Sequence, residues 1–145
     1  MISVKLHYEV ALVSKKLFLS IFVFIFSLAV VIVWYINFPG YEKIAEDRIE
    51  TYMKAQKVDF DKEYQKKSSK EFKTVRWMIV YKFADEPNLI YEYEYDKSTN
   101  SVLLIVFESP SMTGGSSVEK GMKYPSLNDG WSKFDSNGNL ILTSK

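Results

Sequence analysis

Leu17-Phe-Leu-Ser-Ile-Phe-Val-Phe-Ile-Phe-Ser-Leu-Ala-Val-Val-Ile-Val-Trp-Tyr-Ile36 carries no charge over its whole length. At ~1.5 Å of rise per helical residue the run spans roughly 30 Å, the thickness of a bilayer's hydrocarbon core. A helix closes its own backbone hydrogen bonds, so β-branched and aromatic residues that form helices poorly in water form one in lipid. Lys15 and Lys16 stop the run on one side. Trp34 and Tyr35 stand at the other, where interfacial aromatics gather. The expectation is a single-pass transmembrane helix, residues 17–36, seated in the lipid bilayer behind a short tail, residues 1–16. A cleaved signal peptide is the alternative. Against it, the run exceeds an ordinary h-region, Val33–Phe38 offers no small-x-small site, and Ser27-Leu28-Ala29 has that shape only inside the run. The reading is therefore an uncleaved signal anchor.

Orientation turns on the flanking cations. Lys5, Lys15 and Lys16 precede the run, and Lys43, Arg48 and Lys54 follow it, which is nearly a tie. The lysine pair abuts the apolar run, and a long following domain translocates largely regardless of its charge. These points place the N-terminus inside and the C-terminal domain outside the cell membrane.

What remains is one small domain of about a hundred residues, enough for a single core. There are no cysteines, so disulfides, thiolate metal sites and a lipid-modified Cys are absent. From Asn37 onward 16 basic residues stand against 17 acidic ones, a net charge of −1, which argues against a nucleic-acid partner.

Ile2, Val4, Leu6, Tyr8, Val10 and Leu12 alternate in the tail. An extension of the membrane helix is preferred there over a strand added to a partner's sheet. Pro39-Gly40 interrupts the membrane helix. Beyond it, Tyr41, Ile44, Ala45, Arg48, Ile49, Tyr52 and Met53 recur at spacings of three and four, predicting an amphipathic helix over 37–57. Residues 58–71 read as a lysine-rich connection. It is a solvated link or, as the sharper alternative, a patch for anionic headgroups or wall polymers.

Residues 72–108 read as an antiparallel sheet. Val75, Trp77, Ile79, Tyr81 and Phe83 alternate with polar residues, then Asp85-Glu86-Pro87-Asn88 makes a turn. Leu89 to Tyr95 returns with Leu89, Tyr91, Tyr93 and Tyr95 on one side and Ile90, Glu92 and Glu94 on the other. Val102 to Phe107 is apolar on both faces. Residues 109–145 read as a Gly- and Ser-rich loop, Ser109 to Ser117, and a C-terminal hairpin whose tight turn is Asn137-Gly138. The fold class is thus α+β: an N-terminal transmembrane helix, then one amphipathic helix on a sheet of three or four antiparallel strands. The layering is cystatin-like, an analogy of architecture alone.

Phe83-Ala-Asp-Glu-Pro-Asn-Leu-Ile-Tyr-Glu-Tyr-Glu-Tyr-Asp96 resembles the signature of a family of small membrane-anchored proteins of Gram-positive bacteria, the domain-of-unknown-function family three-one-three-nine. The resemblance covers roughly Leu17 to Phe107. It implies the same order of span, amphipathic helix, strand, Asp-Glu-Pro-Asn turn and Tyr-rich strand, and brings no catalytic residues.

Catalytic and metal chemistry is sparse. The one histidine, His7, precedes the span, so the domain lacks the base for Ser-His or Cys-His catalysis and the ligands of an ordinary zinc site. Asp135, Asn137 and Asn139 mimic the opening of a calcium loop, but Gly138 comes two positions early and no acid closes it. Gly114-Gly115-Ser116 lacks the spacing and lysine of a phosphate loop. No metal and no cofactor is expected. Glu92 and Glu94 share a face and could serve glycosidic chemistry, alone or with Asp85 or Glu86. The plainer reading makes them the wet side of a half-buried strand. Tyr91, Tyr93 and Tyr95 could stack on a sugar or clamp a peptide, and core is preferred.

The leading expectation is a non-enzymatic, extracytoplasmic binding or accessory module with a protein or peptide partner in the envelope. A carboxylate-based wall-glycan hydrolase and a small integral subunit of a secretion or envelope complex are the alternatives. Few small residues beyond Ser20, Ser27 and Ala29 line the span, so tight helix packing is only weakly signalled.

Overall fold

The computed structural model describes residues 2–108, 117–118 and 121–142, with side chains from Lys15 onward. The chain divides into two compact units, Met1–Pro39 and Gly40–Lys145. The first is a single helix, α1 (Ile2–Asn37), so residues 2–16 continue the apolar run as helix. It is the one described helix long and apolar enough to cross a membrane. The side chain of His7 lies outside the described residues.

A single residue, Phe38, separates α1 from α2 (Pro39–Ala55). Proline has no N–H to lose in a first turn, so it starts a helix as readily as it interrupts one. The far end closes without glycine: Lys57 adopts φ 61°, and Val58 N–H donates to the Met53 carbonyl at 3.0 Å. That is the six-to-one bond of a left-handed helix cap, with Val58 buried beneath it.

Six strands follow: β1 (Tyr64–Glu71), β2 (Arg76–Phe83), β3 (Leu89–Asp96), β4 (Ser101–Glu108), β5 (Ser132–Phe134) and β6 (Leu140–Ile141). Each pairs antiparallel with the next, in chain order. The sheet is therefore wider than the three or four strands expected. The stretch read as a lysine-rich connection, 58–71, holds β1 over its last eight residues, all paired with β2, and Phe72–Val75 belongs to the turn before β2. The hydrophobic pattern hid β1 because it is an edge strand. Polar and lysine side chains suit an edge exposed to water and discourage pairing with another chain. Its inward positions are satisfied by the acids of α2. Lys66 pairs with Glu46 at 2.5 Å, and the Ser68 hydroxyl donates to Glu42 at 2.7 Å while accepting from Trp77 Nε1 at 2.7 Å.

The register puts Trp77, Ile79, Tyr81 and Phe83 beside Tyr91, Tyr93 and Tyr95, and these beside Val102, Leu104 and Val106. α2 lays Tyr41, Ala45, Ile49, Tyr52 and Met53 against this face. Ile44, expected on the buried stripe, is instead exposed. The segment ahead of β5 completes the cover. Tyr124 is buried against Phe83 and Tyr91 at ring distances of 5.0 and 6.0 Å, and Gln56 donates to the Tyr124 and Pro125 carbonyls. The loop expected at Ser109 to Ser117 lies outside the described residues except for Ser117, which bridges to Phe107.

The final hairpin forms, but not through a two-residue turn. Asp135 accepts hydrogen bonds from the Asn137 and Asn139 amides and the Asn139 side chain, closing a five-residue loop with Gly138 at φ 88°. The left-handed backbone favours glycine here, and a side chain would also have to displace the flexible end of Arg48, whose guanidinium a Cβ at position 138 would meet at 2.0 Å.

Tyr93 has no exposed surface, and its hydroxyl donates to Gln56 Oε1 at 2.9 Å. Tyr93→Phe leaves that acceptor unpaired and is expected to destabilise the fold by about 1–2 kcal/mol. Tyr93→Ala adds a cavity and is expected to cost about 3–5 kcal/mol, measured by denaturant unfolding of both variants.

Candidate functional site

Strand pleating sends Glu92 and Glu94 to the face of the sheet away from α2, two residues and hence about 6.6 Å apart along the strand. Cross-strand neighbours are fixed by register. Glu92 lies between Val80 and Ile105, with Lys67 beyond Val80, and Glu94 lies between Met78 and Leu103. Ile90 and Phe107 form the next row, with Ile90 buried and the other apolar residues partly covered. Among the described residues no helix covers this face.

The two glutamates occupy different surroundings. Glu94 is ion-paired with Arg76 at 3.0 Å and is largely buried. The Arg76 guanidinium in turn lies over the Trp131 ring at 4.8 Å, and its Nε is buried with no hydrogen-bond partner among the described residues. Glu92 has neither hydrogen bond nor ion pair among the described residues, although Lys67 and Lys82 share its face. Burial pushes its carboxyl up from the ordinary value, and the charges of Glu94 and Glu71 push the same way.

The other carboxylates considered from sequence are not brought to this face. Asp85 accepts from Lys123 at 2.5 Å, from Lys62 at 3.1 Å and from the Tyr124 hydroxyl at 3.2 Å. Glu86 accepts from the Tyr91 hydroxyl and from the Lys123 amide at 2.9 Å. Their partners, Lys62, Lys123, Tyr124 and Tyr91, belong to the α2 side of the sheet. The Lys123 ammonium, followed by Lys62 and Tyr124, holds the Asp85 carboxyl down at about 2. Pro87 and Asn88 are exposed and complete the corner. The Asp85-Glu86-Pro87-Asn88 turn thus fastens both the approach to β1 and the segment before β5. Sequence reading missed that role, because Lys62 and Lys123 lie 23 and 38 residues from Asp85.

Tyr91, Tyr93 and Tyr95 are 0%, 0% and 2% exposed. Their rings are core and form no stacking platform. Burial pushes all three hydroxyls above their ordinary range, so they act as neutral donors, to Glu86, Gln56 and Asn100 respectively. Asn100 is a second residue whose importance the pattern concealed. At φ 46° it accepts from Tyr95 and Arg48 and donates to the Phe134 and Asp135 carbonyls, tying the β3–β4 turn to the hairpin. A 310 Å³ cleft lined by Tyr64, Lys82, Phe83 and Pro87 includes neither Glu92 nor Glu94. Asp135, the first residue of the calcium-like Asp135, Asn137, Asn139 pattern, accepts from the Asn137 and Asn139 amides within the hairpin loop. Comparison with protein-family models, with curated proteins and with solved structures found no match.

The two perturbed carboxyls carry opposite pH signatures. Asp85, held low, contributes stability that is complete above its ordinary value of 3.8 and lost as pH falls through about 2. Glu92, held high, favours the fold when protonated, a gain complete below its ordinary 4.5 and lost as pH rises through the raised value. Thermal melts of the full chain in detergent are expected to show Asp85→Asn flattening the loss of stability between pH 4 and 2. Glu92→Gln is expected to raise the melting temperature at pH 7 and leave it unchanged at pH 3.

Proposed function

We propose that the chain is a single-pass membrane protein of the cell membrane, N-terminus inside, whose C-terminal domain is a non-enzymatic binding module displayed outside. Its working surface is the open face of the sheet, and its partner is a protein segment that offers a cation flanked by apolar side chains. The observation that carries this reading is Glu92. A carboxylate set between Val80 and Ile105, partly desolvated and with no ion pair among the described residues, gains most from a partner that supplies the charge and covers its neighbours. The apolar helix supports the anchor, and the lysine pair before it supports the orientation. The likeness of Phe83–Asp96 to the membrane-anchored family agrees with this architecture and leaves the ligand open.

A second reading, a wall-glycan hydrolase, is favoured by one observation. Glu92 and Glu94 lie two residues apart in unlike environments, the arrangement that separates an acid from a base. They stand on a sheet face outside the cleft lined by Tyr64, Lys82, Phe83 and Pro87, which favours binding over catalysis.

Capture of the tagged full chain from mildly solubilised membranes is expected to retain a partner that Glu92→Lys loses by at least about tenfold, the effect of ~1.4 kcal/mol. A chain that stays alone, or a partner kept equally by Glu92→Lys, overturns the binding reading. Turnover of wall glycan that disappears in both Glu92→Gln and Glu94→Gln would establish the hydrolase instead.

A further inference from the structure

The end of the domain at which its chain begins is assembled around Tyr41. The Tyr41 hydroxyl contacts the Val75 carbonyl at 2.8 Å and the Tyr95 carbonyl at 3.2 Å, and accepts from the Lys97 amide at 3.3 Å. The start of α2, the β1–β2 turn and the β3–β4 turn therefore share one pole. The Asp85-Glu86-Pro87-Asn88 turn lies at the other, an eight-residue strand or about 25 Å away.

Phe72 and Val75 on the β1–β2 turn are 72% and 58% exposed. Val75 is held at φ 58°, a left-handed conformation that a β-branched residue adopts only under constraint. The Tyr41 hydroxyl on the Val75 carbonyl supplies that constraint. Cations stand at this pole. Lys70 Nζ lies 5.9 Å from the Phe72 ring and 5.5 Å from the Tyr41 ring, Lys97 Nζ lies 5.6 Å from the Tyr41 ring, and Lys73 stands between Phe72 and Val75 in the turn. Glu71 and Asp96 are the acids nearest in sequence, and both are engaged locally, by the Thr74 hydroxyl and by Ser98.

We propose that the Phe72–Val75 turn, flanked by Lys70, Lys73 and Lys97, is a lipid-docking element that inserts Phe72 and Val75 into the interface of the bilayer crossed by α1. The chain itself argues for this occupant. Tyr41 lies four residues after Asn37, the last residue of the apolar helix, so the connection keeps this pole within a few residues of the bilayer. An apolar tip flanked by lysines matches the interface, where rings and aliphatic groups enter the acyl boundary and ammonium groups meet anionic headgroups. The effect would be to limit the domain's tumbling on its short tether.

This inference rests on the membrane anchor proposed above, and the experiment separates the two. The chain has no cysteine, so single substitutions Phe72→Cys, Val75→Cys, Val33→Cys and Asp61→Cys each carry one environment-sensitive fluorophore. All four positions are exposed, so labelling leaves the core intact. The labelled full chains are reconstituted in vesicles of phosphatidylglycerol and phosphatidylethanolamine containing a lipid with a nitroxide high on its acyl chain. Labels at 72 and 75 are expected to shift to the blue and to be quenched to the extent seen at 33, whereas the label at 61 stays wet and unquenched. Labels at 72 and 75 that behave like 61, while 33 is quenched, overturn the docking and leave the anchor standing. A blue shift at 72 without lipid quenching marks a protein contact, such as a second copy, and also overturns it. An unquenched label at 33 overturns both.

Discussion

A tyrosine ring can be buried at little cost only if its hydroxyl still finds a partner, and this domain builds its core largely from tyrosine. Among the described residues, all seven buried tyrosines but Tyr81 have a hydroxyl hydrogen bond: Tyr41 with backbone groups of two turns, Tyr52 with Ser126, Tyr91 with Glu86, Tyr93 with Gln56, Tyr95 with Asn100 and Tyr124 with Asp85. Those partners sit at the end of α2, in the turns and in the segment ahead of β5. Satisfying the hydroxyls therefore fixes the loops as well as the core, because a buried O–H without an acceptor forfeits roughly 1–3 kcal/mol. The T-shaped ring contacts among Tyr81, Phe83, Tyr91 and Tyr93 add a preference for one geometry over a merely oily interior.

The same demand divides the sheet into two chemically different faces. On the α2 side, carboxylates work as acceptors for buried phenols and as clamps between distant segments. On the opposite side, Glu94 is neutralised by Arg76 and Glu92 is not neutralised by any described residue. The asymmetry cannot be a by-product of strand alternation alone, since alternation sends both glutamates to the same surface and leaves them equivalent. Both have apolar residues directly opposite, Met78 and Leu103 for Glu94 and Val80 and Ile105 for Glu92, and what distinguishes them is a cation one row along the strand. Arg76 on β2 reaches Glu94, whereas Val80 and Ile105 flank Glu92 and raise the cost of its charge without offering a partner.

The uncharged length of α1 and the local periodicity of α2, β2 and β3 made these elements legible before any coordinates, because an amphipathic element buries one face and so imposes a period on its residues. β1 was illegible for the opposite reason. Its stability comes from backbone pairing with β2 and from polar contacts to Glu42 and Glu46, neither of which leaves a hydrophobic trace. The core placement of Tyr91, Tyr93 and Tyr95 followed from alternation, but their acceptors did not, since Gln56 lies 37 residues from Tyr93. The two-residue turn signalled by Asn137-Gly138 became a five-residue loop. Asp135 satisfies three donors there, a stronger local arrangement than the tight turn offers.

These placements bear on what the Asp85-Glu86-Pro87-Asn88 motif signifies. Each of its two acids is consumed by structural bonds, Asp85 to Lys62, Lys123 and Tyr124, and Glu86 to Tyr91 and the Lys123 backbone. A motif whose side chains are spent in this way reports a shared fold, and a likeness confined to it carries no information about the ligand. On the binding reading proposed above, specificity resides where side chains are left over, on the face bearing Glu92. On that proposal, two chains with the same turn hold the same scaffold and differ in their contacts, and the identities at positions 78, 80, 92, 103 and 105 set the partner.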